Sequence, residues 1–170
     1  GLDVVFDGQI NTAPTMELRE SSFANGAPAA NQFQIGSYEA VEVWDGPIGE
    51  IAVYSRNLTA AESQKVNSYF SIKWGTTLDD DPANPTTNYD YVSSDGTIIW
   101  GGTSDVAYQA YHNNIGGIGE DAASGLNQKQ SRSVSAGTIV AIYNGDQSGG
   151  LPASNASNTT SFASDKSFLL

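Results

Sequence analysis

Five aspartates, Asp79, Asp80, Asp81, Asp90 and Asp95, fall within one loop-rich stretch of the chain. Hard cations need oxygen ligands gathered on loops, so these five residues are the candidate metal site, and calcium is the ion they suit. Asp7 and Asp45, each beside a turn, are further candidates. Aspartate at a turn serves equally well as an acceptor for nearby backbone N–H groups, and the spacing is not that of an EF-hand loop. A second chemistry is aromatic stacking. Trp44, Trp100, Tyr89 and Tyr91 combine large apolar faces with polar tips and are the candidate ligand-binding residues, with Tyr108 and Tyr111 nearby in sequence. Trp44 and Trp100 each adjoin a turn, whereas Trp74, at the end of a helical pattern, is expected in the core.

Bond-breaking chemistry finds less support. His112 is the only histidine and there is no cysteine, so zinc and thiol sites are excluded. No G-x-S-x-G elbow places a serine for nucleophilic attack. Glu39, Glu42 and Asp45 are spaced three apart, which puts neighbours in that series on opposite faces of a strand. The alternating acids of a glycosidase strand are therefore missing. Gly116-Gly117-Ile118-Gly119-Glu120-Asp121 matches the opening of a calcium β-roll repeat, but no second copy follows, and each turn of a β-roll borrows ligands from the next. No phosphate-binding glycine loop is present. The expectation is a non-enzymatic chain.

These residues must be held by something, and the pattern is mostly that of short strands. Asp7-Gly8 and Asp95-Gly96 are two-residue hairpin signals, the second joining Tyr89–Ser94 to Thr97–Trp100. Glu39–Trp44 and Ile48–Ser55 alternate apolar and polar positions around the turn Asp45-Gly46-Pro47. Ser131–Val134 and Thr138–Tyr143 form another pair around Ala136-Gly137. Ile115–Glu120 reads as a strand with close backbone approach. Asp146–Thr160 has the composition of a linker, and Lys166–Leu170 opens a last strand. Between them the period changes. Thr59-Ala60-Ala61-Glu62 is a capping box, Val66, Tyr69, Phe70 and Lys73 recur at helical spacing, and Gly75 stops the run. An amphipathic helix is expected at about 59–74.

The chain of 170 residues carries 19 acidic against seven basic side chains, a net charge of −12. Such a surface repels nucleic acid. No segment has the roughly 18 apolar residues of a membrane helix, so membrane insertion is not expected. Few lysines, many Asp, Gly, Ser, Thr and Asn, and no cysteine fit a secreted or cell-surface β-protein stapled by calcium rather than by disulfides.

Residues 45–62, D-G-P-I-G-E-I-A-V-Y-S-R-N-L-T-A-A-E, resemble the last strand and closing helix of laminin-G-like (concanavalin-like) domains in bacterial surface proteins. The runs Val66–Leu78 and Ile118–Ser131 are similar to a module that follows such domains in large bacterial adhesins. The resemblance implies an antiparallel β-sandwich with one packed helix. It implies a laminin-G-like portion over 1–78 and a β-rich adhesin-associated module over 79–170, or one continuous sandwich. It further implies an extracellular ligand-binding or scaffolding module that recognises a surface glycan or peptide beside neighbouring adhesin domains. The alternatives are a structural spacer or split frame presenting an inserted domain, and a carbohydrate-binding accessory of a secreted hydrolase. Residues 1–44 are too few for the earlier strands of a full laminin-G-like sandwich.

Overall fold

The computed structural model describes residues 5–6, 9–10, 37–38, 42–43, 45–78, 90–105, 107–108, 115–135 and 138–170. In chain order the elements are β1 (Val5–Phe6), β2 (Gln9–Ile10), β3 (Ser37–Tyr38), β4 (Glu42–Val43), helix α1 (Ala60–Trp74), β5 (Asp90–Val92), β6 (Ile98–Gly101), β7 (Ile118–Asp121), β8 (Leu126–Gln128), β9 (Gln130–Ser135), β10 (Thr138–Tyr143) and β11 (Ser167–Leu169). The fold is mainly antiparallel β with one α-helix among the described residues. β3 pairs with β4, β5 with β6, β9 with β10, and β7 lies between β8 and β11, all antiparallel. The chain divides into two compact units, one of residues 1–4 and 10–57, the other of 5–9 and 58–170.

In the first unit, β3 and β4 pair through Ser37 with Val43 and Tyr38 with Glu42. The alternating segment Ile48–Ser55 forms no ladder, contrary to its strand pattern. Ile48, Ile51, Val53 and Tyr54 are all exposed. Alternation alone does not make a strand when no neighbouring edge covers the apolar face.

The second unit is built on α1. Thr59 accepts a hydrogen bond from the Glu62 N–H, the Glu62 carboxylate accepts one from the Thr59 N–H, and Gly75 ends the helix in the left-handed conformation at φ 67°. Both ends lie where the sequence places them, because capping is local chemistry. The buried face is another matter. Val66 and Phe70 are only half-buried, and the innermost residues of α1 are Ser68, Ser71 and Ile72. Small hydroxyl residues let the helix approach β5 closely enough to bond with its backbone. The Gln64 side-chain amide donates to the Asp90 carbonyl at 3.1 Å, and the Val92 N–H donates to Ser68 Oγ at 2.9 Å. Asp90 and Val92 direct their backbone groups to the strand edge that β6 does not occupy. One helical turn, i to i+4, thus stands in for a neighbouring strand. This is why the helix packs on β5, β7 and β8 in the second unit, whereas the sequence-based division after residue 78 groups it with the N-terminal portion.

Ser68 is fully buried. Replacing it with alanine strands the Val92 N–H away from water, at a cost of about 1–3 kcal/mol. Urea denaturation should show a lower midpoint with an unchanged slope. A midpoint equal to that of the parent chain would mean that the helix does not cap β5.

The core of this unit is Ile72, Leu78, Tyr91 and Leu126, with Tyr69, Ile99, Trp100, Ile115, Phe168 and Leu170 packed around it. The glycines of the 116–119 run explain themselves here. A side chain on Gly119 would meet the Phe168 ring and the Ser167 carbonyl, and one on Gly117 would meet the Leu169 carbonyl at 2.9 Å. Their absence lets β11 lie against β7, with Phe168 directly opposite Gly119. The match to a β-roll opening therefore reflects close packing of strands.

The stretch Asp146–Thr160, linker-like in composition, is an ordered loop. It holds a 3-10 turn at Gln147–Gly149 and a hydrogen-bonded turn at Ser154–Asn158. Asn155 acts on β8 as Gln64 and Ser68 act on β5. Its amide oxygen accepts from the Lys129 N–H at 2.6 Å, and its amide nitrogen donates to the Asn127 carbonyl at 2.8 Å. Asn158, 2 % exposed, donates to the carbonyls of Lys129 and Asn144 and accepts from the Thr160 N–H.

Candidate functional site

The hairpin β5–β6 carries most of the residues marked out by the sequence. Its turn is not the two-residue type that Asp95-Gly96 suggests. The Gly96 N–H donates to the Ser93 carbonyl and the Ser93 N–H to the Thr97 carbonyl, with Gly96 at φ 91°. This is a three-residue loop closed by a left-handed glycine, with positive φ at Gly96 and not at Asp95. Asp95 holds the loop together. Its carboxylate accepts from the Ser93 hydroxyl and the Thr97 N–H and pairs with the Lys166 ammonium. Lys166, together with the Ser93 hydroxyl and the Thr97 N–H, holds the Asp95 carboxyl well below the usual carboxylate range. Asp95 in turn raises the pKa of Lys166.

Asp90 sits at the other end of the hairpin, opposite Gly101. It is buried, and its Oδ1 accepts from the Thr103 and Ser104 N–H groups at 2.7 and 2.9 Å. Asp90 and Asp95 therefore do not converge, and Asp90 Oδ1 and the Asp95 carboxylate already accept hydrogen bonds. These two residues do not fit a calcium cage. Among the described residues no three His, Asp or Glu side chains form a group able to hold a metal. Asp79, Asp80 and Asp81, like Asp7, lie outside the described residues.

The aromatic candidates separate as well. Trp44, Tyr89, Tyr111 and the lone His112 lie outside the described residues. Tyr91 is 2 % exposed, and its phenolic oxygen accepts the Leu78 N–H at 2.9 Å. Burial pushes its pKa up to about 12, against the lowering effect of the Leu78 bond. It is a core residue, packed with Ile72, Leu78 and Leu126, so the stacking role expected of it is corrected. Trp74, expected in the core, is instead 49 % exposed at the helix end. Trp100 is half-buried, and its ring lies against Tyr108, with centroids 4.6 Å apart and planes tilted by 35°.

The segment after β6 puts Tyr108 there. Asp90 holds Thr103 and Ser104, the Gly101 carbonyl accepts from the Asp105 N–H, and Asp105 receives the N–H groups of Ala107 and Tyr108. The carboxylate expected to bind a cation thus positions an aromatic pair. Tyr108 is 42 % exposed, and the buried indole N–H of Trp100 has no hydrogen-bond partner among the described residues. The exposed face of Tyr108 can stack on a ring.

A second polar junction was not visible from the sequence. Asp121, 1 % exposed, accepts from the Ser94 N–H and hydroxyl, both at 2.7 Å, and from the Ser124 N–H. Burial works to raise its pKa, but the Ser94 N–H and hydroxyl and the N–H groups of Ser124 and Ala123 outweigh it, and the carboxyl titrates below its ordinary value. Lys65, Tyr69, Ile72, Leu126 and Phe168 line a recess beside it. The recess has room for about one water molecule, too small for a substrate. Asp121 fastens the hairpin turn to β7 and is structural. The signal available was the Ser-Ser pair at 93–94, but nothing in the sequence links it to a residue so far along the chain.

Residues 62–170, more than half of the chain, match the model of a family described as Domain of unknown function (DUF8202). No curated protein and no solved structure matches the chain.

Proposed function

The chain belongs to the DUF8202 family, and from that premise we propose that it is a non-catalytic recognition module of an extracellular bacterial adhesin. The observation that carries this reading is the Trp100–Tyr108 pair. A hydrogen-bonded loop holds it, and the Tyr108 ring is exposed. Asp90, Asp95 and Asp121, three of the described carboxylates, hold loops, which supports a role in contact rather than bond breaking. The ligand class that suits a tilted aromatic pair with one exposed ring is a surface glycan or an aromatic-bearing peptide. The adhesin setting rests on the resemblance of residues 45–62 and on the acidic, cysteine-free composition.

The test is an array of glycans and peptides, probed with the chain and its Tyr108→Ala variant, with calcium and with chelator. Binding that the variant lowers about tenfold or more, the scale of one lost stacking contact, supports the reading. Silence in both arms counts against it. A signal confined to the calcium arm would assign an ion to residues outside those described.

A second reading, a frame that other segments complete, is favoured by Ile48–Ser55. Its alternating apolar side chains stand exposed without a ladder, as a strand does before its neighbour is supplied. The flanking sequence discriminates. Strands that could pair with 48–55 on the far side of another domain favour the frame.

A further inference from the structure

The outer edges of β5 and β8 are covered by side chains, Gln64 and Ser68 on one and Asn155 on the other. β10 is treated differently. It pairs with β9 from Thr138 opposite Ser135 to Tyr143 opposite Gln130. The Asn144 N–H donates to the Lys129 carbonyl at 2.8 Å. By the alternation of antiparallel ladders, the even-numbered residues of β10 then face β9, while Ile139, Ala141 and Tyr143 direct their N–H and C=O groups outward. Among the described residues nothing hydrogen-bonds to that outer edge. Ile139 and Val140 are 59 % and 51 % exposed, and as neighbours in a strand they point to opposite faces, so neither face of the ribbon is covered there. The strand T-I-V-A-I-Y contains no proline, glycine or charge, the devices by which exposed edges are kept from pairing.

We propose that the outer edge of β10 pairs antiparallel with the same edge of a second copy of this chain, joining two β9–β10 ribbons into one four-stranded sheet. The partner is argued from symmetry and charge. A two-fold axis at Ala141 sets each outward-facing residue of one copy against an outward-facing residue of the other, with Ala141 opposite itself. Ile139 then meets Tyr143 of the second copy, an aromatic–β-branched cross-strand pair, and about six backbone hydrogen bonds close the gap. Two copies of net charge −12 repel one another, but no Asp or Glu occurs between Asp121 and Asp146, and Lys129 and Arg132 fall in that interval. The ribbon is where two copies meet with least repulsion. A contact of one strand per copy is smaller than a standard interface, so the dimer is weak, with a dissociation constant on the order of 0.1 mM. The inference goes beyond the recognition role and uses none of the residues of the Trp100–Tyr108 pair.

Sedimentation velocity of the intact chain, from about 5 µM to about 1 mM, should show a monomer–dimer equilibrium that strengthens with salt, since salt screens the acidic repulsion. Ala141→Pro removes one outward N–H without touching the β9 ladder and should weaken dimerisation about tenfold or more. The chain has no cysteine, so Ala141→Cys reports the geometry independently: facing residues of a hydrogen-bonded pair lie within disulfide reach, and mild oxidation should yield a covalent dimer. Circular dichroism confirms that each variant is folded. A chain that stays monomeric throughout overturns the proposal. So does a dimer indifferent to Ala141→Pro, or one whose Ala141→Cys variant cross-links no faster than Ala153→Cys, which puts the thiol at an exposed loop position. An edge that captures an added extended peptide while the chain itself stays monomeric also overturns it.

Discussion

Replacing Asn158 with aspartate is expected to lower stability by about 3–5 kcal/mol, the scale set by an uncompensated buried charge. In a chain of this size that is a fall in Tm of about 10 °C. Asn158 is 2 % exposed and has each hydrogen-bonding group engaged. Its amide nitrogen donates to the carbonyls of Lys129 and Asn144, and its oxygen accepts from the Thr160 N–H and hydroxyl. Aspartate keeps the shape, loses both donors and turns a negative oxygen toward two carbonyls. The Lys129 ammonium is held nearby by the Asn158 carbonyl at 2.9 Å and offsets only part of this. The variant's deficit should shrink on acidification. A carboxyl facing carbonyls has a raised pKa in the folded chain, so its penalty is absent below the ordinary Asp value and grows as pH rises. Calorimetric melts at pH 4 and pH 7 measure both effects. A variant melting within about 2 °C of the parent at pH 7 would show that this amide does not organise the loop.

Asp121→Asn is the second large effect, about 2–3 kcal/mol at neutral pH. One carboxylate oxygen, with its charge, is exchanged for an NH2 group that confronts the Ser94 N–H or hydroxyl, donor against donor. The pH dependence carries a sign. The folded pKa of Asp121 lies below its ordinary value of 3.8. Its contribution is therefore present above that value and lost as pH falls through the depressed one. The asparagine variant lacks this dependence, so the stability gap between the two chains should close in acid. Denaturant midpoints from pH 7 to pH 2 test this, and a gap that stays constant or widens toward low pH would remove Asp121 from its role as the clasp between hairpin and β7.

The parts of the fold legible in the sequence are those set by chemistry between near neighbours. Thr59 and Glu62 cap a helix three residues apart, and Gly75 stops it by adopting positive φ. The hairpin around Asp95-Gly96 and the ribbon around Ala136-Gly137 pair strands separated by a few residues. Even here detail escaped, since the loop at Asp95 is closed by three residues rather than two. What could not be read is which face each element buries. Ser68 is innermost on α1 because β5 offers it a backbone N–H, and that partner lies 24 residues away. The loop 146–160 is ordered because Lys129, Asn127 and Asn144 supply what its asparagines need. Composition registered only polar residues.

The same divide runs through the candidate site. Residue types alone marked Asp90, Asp95, Tyr91 and Trp100 as able to do chemistry, and the lack of cysteine ruled out thiol chemistry. Only the tertiary structure decided what each of them does. It spends Asp90 and Asp95 on backbone N–H groups, turns Tyr91 into the core, and brings up Tyr108 to complete the pair with Trp100. The physical reason is that a carboxylate or an aromatic ring has several near-equivalent partners available. A cation, an N–H, a sugar and a hydrophobic core all satisfy it, and which one it meets depends on segments far away along the chain.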